Sequence, residues 1–148
     1  MHDVVRNERR RGTDAPALTP SRALLFGGYV SNGSQGGYYD DTWEWSGSSW
    51  SQRSSTGSTG SSGPSGRVGG ALASLNGKTV LFGGYGGKTL GDTWQWDGTT
   101  WTEKKVPGPT ARFGAVNASF VEPGDTWEWD GAAWTERSVT GPSPRTQM

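Results

Sequence analysis

The pentapeptide Asp-Thr-Trp-Glu-Trp occurs at residues 41–45 and again at 125–129, with Asp-Thr-Trp-Gln-Trp at 92–96 between them. Each copy is followed, five residues after its second tryptophan, by another: Trp50, Trp101 and Trp134. These cassettes hold all nine tryptophans of the 148-residue chain. In a strand, residues two apart share a face, so Trp43 and Trp45, Trp94 and Trp96, and Trp127 and Trp129 point the same way. Across the turn "DGTT", Trp96 and Trp101 can stand opposite each other as a cross-strand aromatic pair. A platform for sugar rings is one reading of so much indole. However, a ligand-specific residue need occur only once, whereas these recur in every copy, which argues for architecture. With only 30% hydrophobic residues, tryptophan must supply much of the core.

The cassettes close a longer repeat. Its most complete copy runs from Arg67 to Arg112. Strand a is expected over 67–75, a tight hairpin turn at Asn76-Gly77, strand b over 79–84, strand c over 92–96 and strand d over 101–104. Four short strands in a unit of about 45 residues are the pattern of a propeller blade. Spacing shows that the copies are unequal: Trp43 to Trp94 is 51 residues and Trp94 to Trp127 only 33. The first copy lacks 11 residues, most of strand a and its turn, and the third lacks 12 between strands a and c. In the third copy, residues 112–127 could hold two short strands around Asn117-Ala118.

These residues resemble the kelch-repeat family. The matching features are the double glycine that ends strand b (Gly27-Gly28 and Gly83-Gly84), the tryptophan pair of strand c and the single tryptophan of strand d. The central copy matches most fully, the outer two are degraded, and the style "DTWEWDG..WTE" with "GPSPR" looks like bacterial kelch sequences. The resemblance implies an all-β fold: a partial kelch β-propeller of the galactose-oxidase-like type, with about three four-stranded antiparallel blades. Residues 1–21 read as a disordered basic tail, 22–66 as a first blade lacking most of strand a, 67–111 as a complete second blade, 112–145 as a third with a shortened a–b region, and 146–148 as a tail. Propellers close with about 4–8 blades, so three cannot close a ring alone. The chain would then be a fragment of a longer propeller, a decayed remnant, or half of a six-bladed homodimer.

Several chemistries are excluded. Lys+Arg 14 balances Asp+Glu 14, leaving no electrostatic footprint for nucleic acid. There is no cysteine, and His2 is the single histidine, so thiol catalysis, a Ser-His-Asp triad and the copper site of the oxidase sharing this fold have no ligands here. "FGGYGGKT" at 82–89 misses the phosphate-loop pattern, because Phe82 stands where its first glycine is required. Glu44 and Glu128 are matched by Gln95, so no carboxylate pair is set up for acid–base work. Asp41, Asp92 and Asp125 read as caps of the b–c turn through side-chain to backbone hydrogen bonds. No catalytic, cofactor or metal residue is assigned, and no enzyme activity is expected. No stretch is long and apolar enough for a membrane helix, and no signal peptide is visible; the default compartment is the cytoplasm, although similar bacterial kelch proteins are often extracellular.

The remaining signal lies in loops. The b–c and d–a connections read as long: 29–40, 85–91 and 52–66. Binding usually resides on such loops over a rigid scaffold, and kelch relatives tend to use this face. Tyr29, Tyr38, Tyr39, Tyr85, Arg67 and Arg112 are the candidate binding residues, Tyr and Arg being frequent interface anchors. The expected function is a non-enzymatic protein-interaction module with a protein partner. The alternatives are a carbohydrate-binding or carbohydrate-active surface protein and a non-functional remnant.

Overall fold

The structure is a computed structural model that describes residues 22–31, 36–55, 63–114 and 125–139. Among these residues there is no helix; nine strands form three antiparallel sheets of three, four and two strands. The first sheet holds β1 (Ala23–Ser31), β2 (Gly36–Trp45) and β3 (Trp50–Ser55). The second holds β4 (Ala71–Leu75), β5 (Lys78–Tyr85), β6 (Thr89–Trp96) and β7 (Trp101–Lys104). The third holds β8 (Thr126–Trp129) and β9 (Trp134–Arg137). Each strand pairs with its neighbour in sequence, and no sheet closes on itself. The two short strands expected around Asn117-Ala118 fall outside the described residues, as does the basic tail.

Local chemistry explains the turns. Asn76 and Gly77 both have positive φ, 51° and 75°, which is the combination a two-residue hairpin turn of type I′ requires. The β6–β7 and β8–β9 turns are built by Asp97 and Asp130. Each Oδ1 accepts two backbone N–H groups, from Thr99 and Thr100 (2.8 Å each) and from Ala132 and Ala133 (2.7 and 2.8 Å). These backbone donors hold both carboxyls below the ordinary aspartate range. Ser46 plays the same part between β2 and β3, its Oγ accepting the Ser49 N–H at 3.2 Å. Because the turns are alike, the registers are alike. Trp45 faces Trp50, Trp96 faces Trp101 and Trp129 faces Trp134, with ring centroids 5.5, 5.4 and 5.3 Å apart.

The double glycines do not end their strands. They sit opposite a bulge of the partner strand, with register shifts between Phe26 and Gly28 and between Phe82 and Gly84, and the ladder resumes beyond it. Consequently 29–40 is not a long loop. β1 runs to Ser31 and β2 starts at Gly36. Likewise only residues 86–88 separate β5 from β6. Gly27 (φ 74°) and Gly83 (φ 65°) need glycine on two counts. A Cβ on either would also collide with the carbonyl oxygen of an incoming arginine, Arg67 or Arg112.

The core lies between successive sheets. In β5 the run Val80-Leu81-Phe82-Gly83-Gly84 is buried without interruption, as expected of a strand covered on both faces. Adjacent side chains point to opposite faces. Leu81 joins Phe26, Trp96 and Trp101 in a cluster against the first sheet, with Trp94 and Leu24 partly buried beside it. Phe82 meets Trp134 of the third sheet, edge to face at 5.2 Å and 63°. Trp101 meets Phe26 in nearly the same geometry, 5.4 Å and 67°.

Candidate functional site

The cassettes make the same junction twice. The indole N–H of Trp101 donates to Thr42 Oγ1 of the first sheet at 2.9 Å, and that of Trp134 donates to Thr93 Oγ1 of the second at 2.8 Å. Both threonines are the Thr of an Asp-Thr-Trp triplet. The lone tryptophan of one unit therefore seats on the triplet of the unit before it. These indoles serve packing between sheets.

A second staple uses arginine. The Arg67 carbonyl accepts Gly28 N–H (2.9 Å), and the Arg67 N–H donates to the Tyr39 carbonyl (3.3 Å), fixing its backbone to the first sheet. Its side chain points into the second sheet, where NH1 and NH2 donate to both oxygens of Asp92 at 2.6 and 2.9 Å, and NH1 also donates to the Gly83 carbonyl at 2.9 Å. Arg112 repeats this one sheet later. Its carbonyl accepts Gly84 N–H (2.8 Å), its N–H donates to the Leu90 carbonyl (3.0 Å), and its guanidinium forks onto Asp125 at 2.7 and 2.8 Å. Each arginine is braced by the residue two positions earlier. Nε donates to the Ser65 or Thr110 carbonyl, and NH2 to the same residue's hydroxyl. Each aspartate also accepts the next indole N–H, Trp94 or Trp127, at 2.6 and 2.7 Å.

Arg67 is 1% exposed, its guanidinium taken up by Asp92 and the Gly83 carbonyl; Arg112, half-buried, makes the matching contact. One expectation is corrected here. The aspartates do not cap a turn through side-chain to backbone bonds, because Asp41 and Asp92 lie within strands and their carboxylates meet an indole, with a guanidinium added at Asp92. A signal for this existed in the sequence. The arginines recur as regularly as the tryptophans do, and the same recurrence argument applies to both.

Burial works against the charged form of Asp92, but the hydrogen bonds from Arg67 and Trp94 outweigh it and lower its pKa. The Arg112 hydrogen bonds pull Asp125 from 3.8 to about 2, with burial opposing and Trp127 assisting. A carboxyl whose pKa is depressed on folding adds stability that is full above its unfolded pKa and is lost as pH falls through the folded one. The urea midpoint is therefore expected to fall as pH is lowered from about 4 to about 2. Arg112→Gln should flatten that slope; an unchanged slope would mean that this pair does not set the acid limit.

The tyrosines come together at the bulge end of the sheets. Tyr29 lies across from Tyr38 in the β1–β2 ladder with rings 5.1 Å apart. Tyr38 meets Tyr85 of the second sheet at 5.9 Å, and Tyr85 meets Phe113 at 5.4 Å. Four aromatic rings thus form a row from the first sheet to the segment after β7. Tyr29, Tyr38, Tyr39 and Tyr85 stand on strands rather than on loops, because pairing resumes beyond the bulge. Tyr29 and Tyr39 are about half exposed, at 52% and 49%. Beside them a cleft of ≈ 340 Å³ is lined by Leu25, Tyr39, Val68, Leu72 and Leu81. Phe113 is the member of the row that sequence reasoning missed; its position directly after Arg112 is the only signal for it.

No group of three or more His, Cys, Asp or Glu that could hold a metal occurs among the described residues. No helix among them is long and apolar enough to cross a membrane. No family model matches the chain, and no curated protein matches it as a relative.

Proposed function

We propose that the chain is a non-enzymatic protein-interaction module built from kelch-like blades of a β-propeller, as part of a longer propeller or as a self-associating half, and that it binds a protein partner through its tyrosine row. The observation that carries this reading is the row itself. Rings from neighbouring sheets are lined up at one end by the same bulge, on strands already pinned by Arg67 and Arg112. Rigid aromatic side chains give large contact area at low entropic cost, which is what interface anchors need. The propeller reading is supported by two successive junctions of the same kind, each made by the strand-d tryptophan and the arginine.

Exposed tyrosine faces also suit a sugar ring, so a glycan is the second reading. The experiment compares the wild-type chain with Tyr29→Ala/Tyr38→Ala against protein partners recovered by pull-down and against a glycan array. Loss of about tenfold or more in affinity for a recovered protein partner is expected, given the ~2 kcal/mol typical of an anchor residue. A glycan signal that falls in the double variant would favour the second reading. Unchanged binding of either ligand would remove the row from the site.

A further inference from the structure

Arg67 has a seat on the sheet that receives it, and the first sheet carries the same seat with no arginine in it among the described residues. On the second sheet the seat is the Asp92 carboxylate and the Gly83 carbonyl, which together take the Arg67 guanidinium. Gly84 leaves room for the arginine stem, since a Cβ there would come within 3.1 Å of Arg67 Cδ. The register puts Asp41, Gly27 and Gly28 at the same three positions of the first sheet. The Trp43 indole N–H donates to Asp41 Oδ2 at 2.6 Å, as Trp94 does to Asp92 at the same distance. One carboxylate is therefore held as the other is. The path of the stem is also clear. Among the described residues, a Cβ on Gly28 would meet only the ring of Tyr39 in its own sheet, at 3.6 Å.

Among the described residues no arginine or lysine reaches Asp41. The arginine directly before β1 is turned elsewhere: the Arg22 side chain is 72% exposed and donates to Glu44 at 2.9 Å. Glu44 also takes Arg53, at 2.7 Å. The strand edge beside the seat is open in the same way. In the second sheet β4 lies outside β5, and Val68, the residue after Arg67, bridges to Tyr85 through both backbone groups at 2.9 and 2.8 Å. In the first sheet β1 is the outermost strand. Tyr29 stands there at the position of Tyr85, and no described residue bridges to its outer side. Such an edge offers backbone donors and acceptors to an incoming extended segment.

We propose that the Asp41 seat takes an arginine from a protein partner, presented on an extended Pro-Ser/Thr-x-Arg segment. The two filled seats show the chemistry that fits. Arg67 follows Pro64 and Ser65, and Arg112 follows Pro109 and Thr110. Both prolines are buried, and each hydroxyl accepts from its own arginine at 3.1 Å. The charge is complementary, since a half-buried carboxylate that already holds an indole N–H lacks a cation. Arginine is specified over lysine because the contact at Asp92 and Asp125 is a fork onto both oxygens. Residues after the partner's arginine would lie along the edge of β1, as Val68 lies on Tyr85. The inference rests on reading the chain as a protein-interaction module and names what the partner presents. It uses Asp41 rather than the tyrosine rings, so the two can fail separately.

The experiment titrates the full chain with the synthetic peptide Gly-Pro-Ser-Gly-Arg-Val-Gly-Gly, the sequence of residues 63–70. Heteronuclear NMR follows the indole N–H of Trp43, assigned by its loss in Trp43→Phe. A saturable shift of that signal is expected. Asp41→Asn should weaken binding by about tenfold or more, as should lysine or citrulline in place of the peptide's arginine. Circular dichroism checks that Asp41→Asn keeps its β structure, and the citrulline peptide tests the same contact on an unaltered chain. A Trp43 signal that does not move, equal binding of the citrulline peptide, or unchanged affinity in a folded Asp41→Asn would each overturn the proposal. So would a wild-type particle of twice the chain mass that Asp41→Asn halves, because a second copy would then hold the seat. A failed peptide titration leaves the pull-down test of the tyrosine row standing, and the reverse is also true.

Discussion

Arg67→Ala is expected to lower the unfolding free energy by about 3 kcal/mol, the lower end of the cost of removing one partner from a buried ion pair, because Arg67 is buried while Asp92 keeps part of its surface in solvent. Set against a total near 5–15 kcal/mol for a domain, that loss takes away much of the folded population. The reason is specific. The change leaves the Asp92 carboxylate without its cation and the Gly83 carbonyl without its buried donor. It also removes a side chain that ties the backbone of the first sheet to the carboxylate of the second. Arg67→Lys should recover little, because a point charge cannot fork onto both carboxylate oxygens while being braced by Ser65. Arg67→Met combined with Asp92→Asn should be milder than Arg67→Met alone, since no uncompensated charge is then left inside. Urea unfolding followed by tryptophan fluorescence measures all four. A loss below about 1 kcal/mol for Arg67→Ala would place this pair with ordinary surface ion pairs.

The second large effect is expected at Trp101. Trp101→Ala removes a buried indole that touches Phe26 and Trp96 and donates to Thr42, and about 3–5 kcal/mol is the usual cost of such a truncation. The hydrogen bond can be separated from the packing. Trp101→Phe keeps a ring in the cluster and loses the donor, while Thr42→Val keeps the shape and loses the acceptor. A double-mutant cycle between them should return a coupling of about 1 kcal/mol. Zero coupling would mean that Trp101 holds the two sheets by contact area alone.

How much of this could be read from the chain depends on how local each cause is. The Asn76-Gly77 turn was legible because two consecutive positive φ angles leave few residue choices. The facing pairs Trp45–Trp50, Trp96–Trp101 and Trp129–Trp134 were legible because a short turn fixes the register of a hairpin. The bonds from Trp101 to Thr42 and from Arg67 to Asp92 were not, since they join residues 59 and 25 positions apart and no local preference encodes them. The burial of Arg67 was not legible for a related reason. Arginine is usually exposed, and only the paired recurrence of Arg67 with Asp92 and Arg112 with Asp125 marks it as an internal fixture. The tyrosines were assigned to loops because a double glycine reads as a break. A bulge absorbs the extra residue and lets the strands pair on to Tyr29 and Tyr38.

Among the described residues the second sheet alone is sandwiched, Leu81 facing one way and Phe82 the other. In a linear array each unit draws much of its stability from the units it touches, and regions with fewer such contacts open at lower free energy. A single copy of the chain should therefore loosen from its flanks inward. The amides of β5 should be the last to exchange their hydrogens with solvent, and those of β1 and β9 among the first.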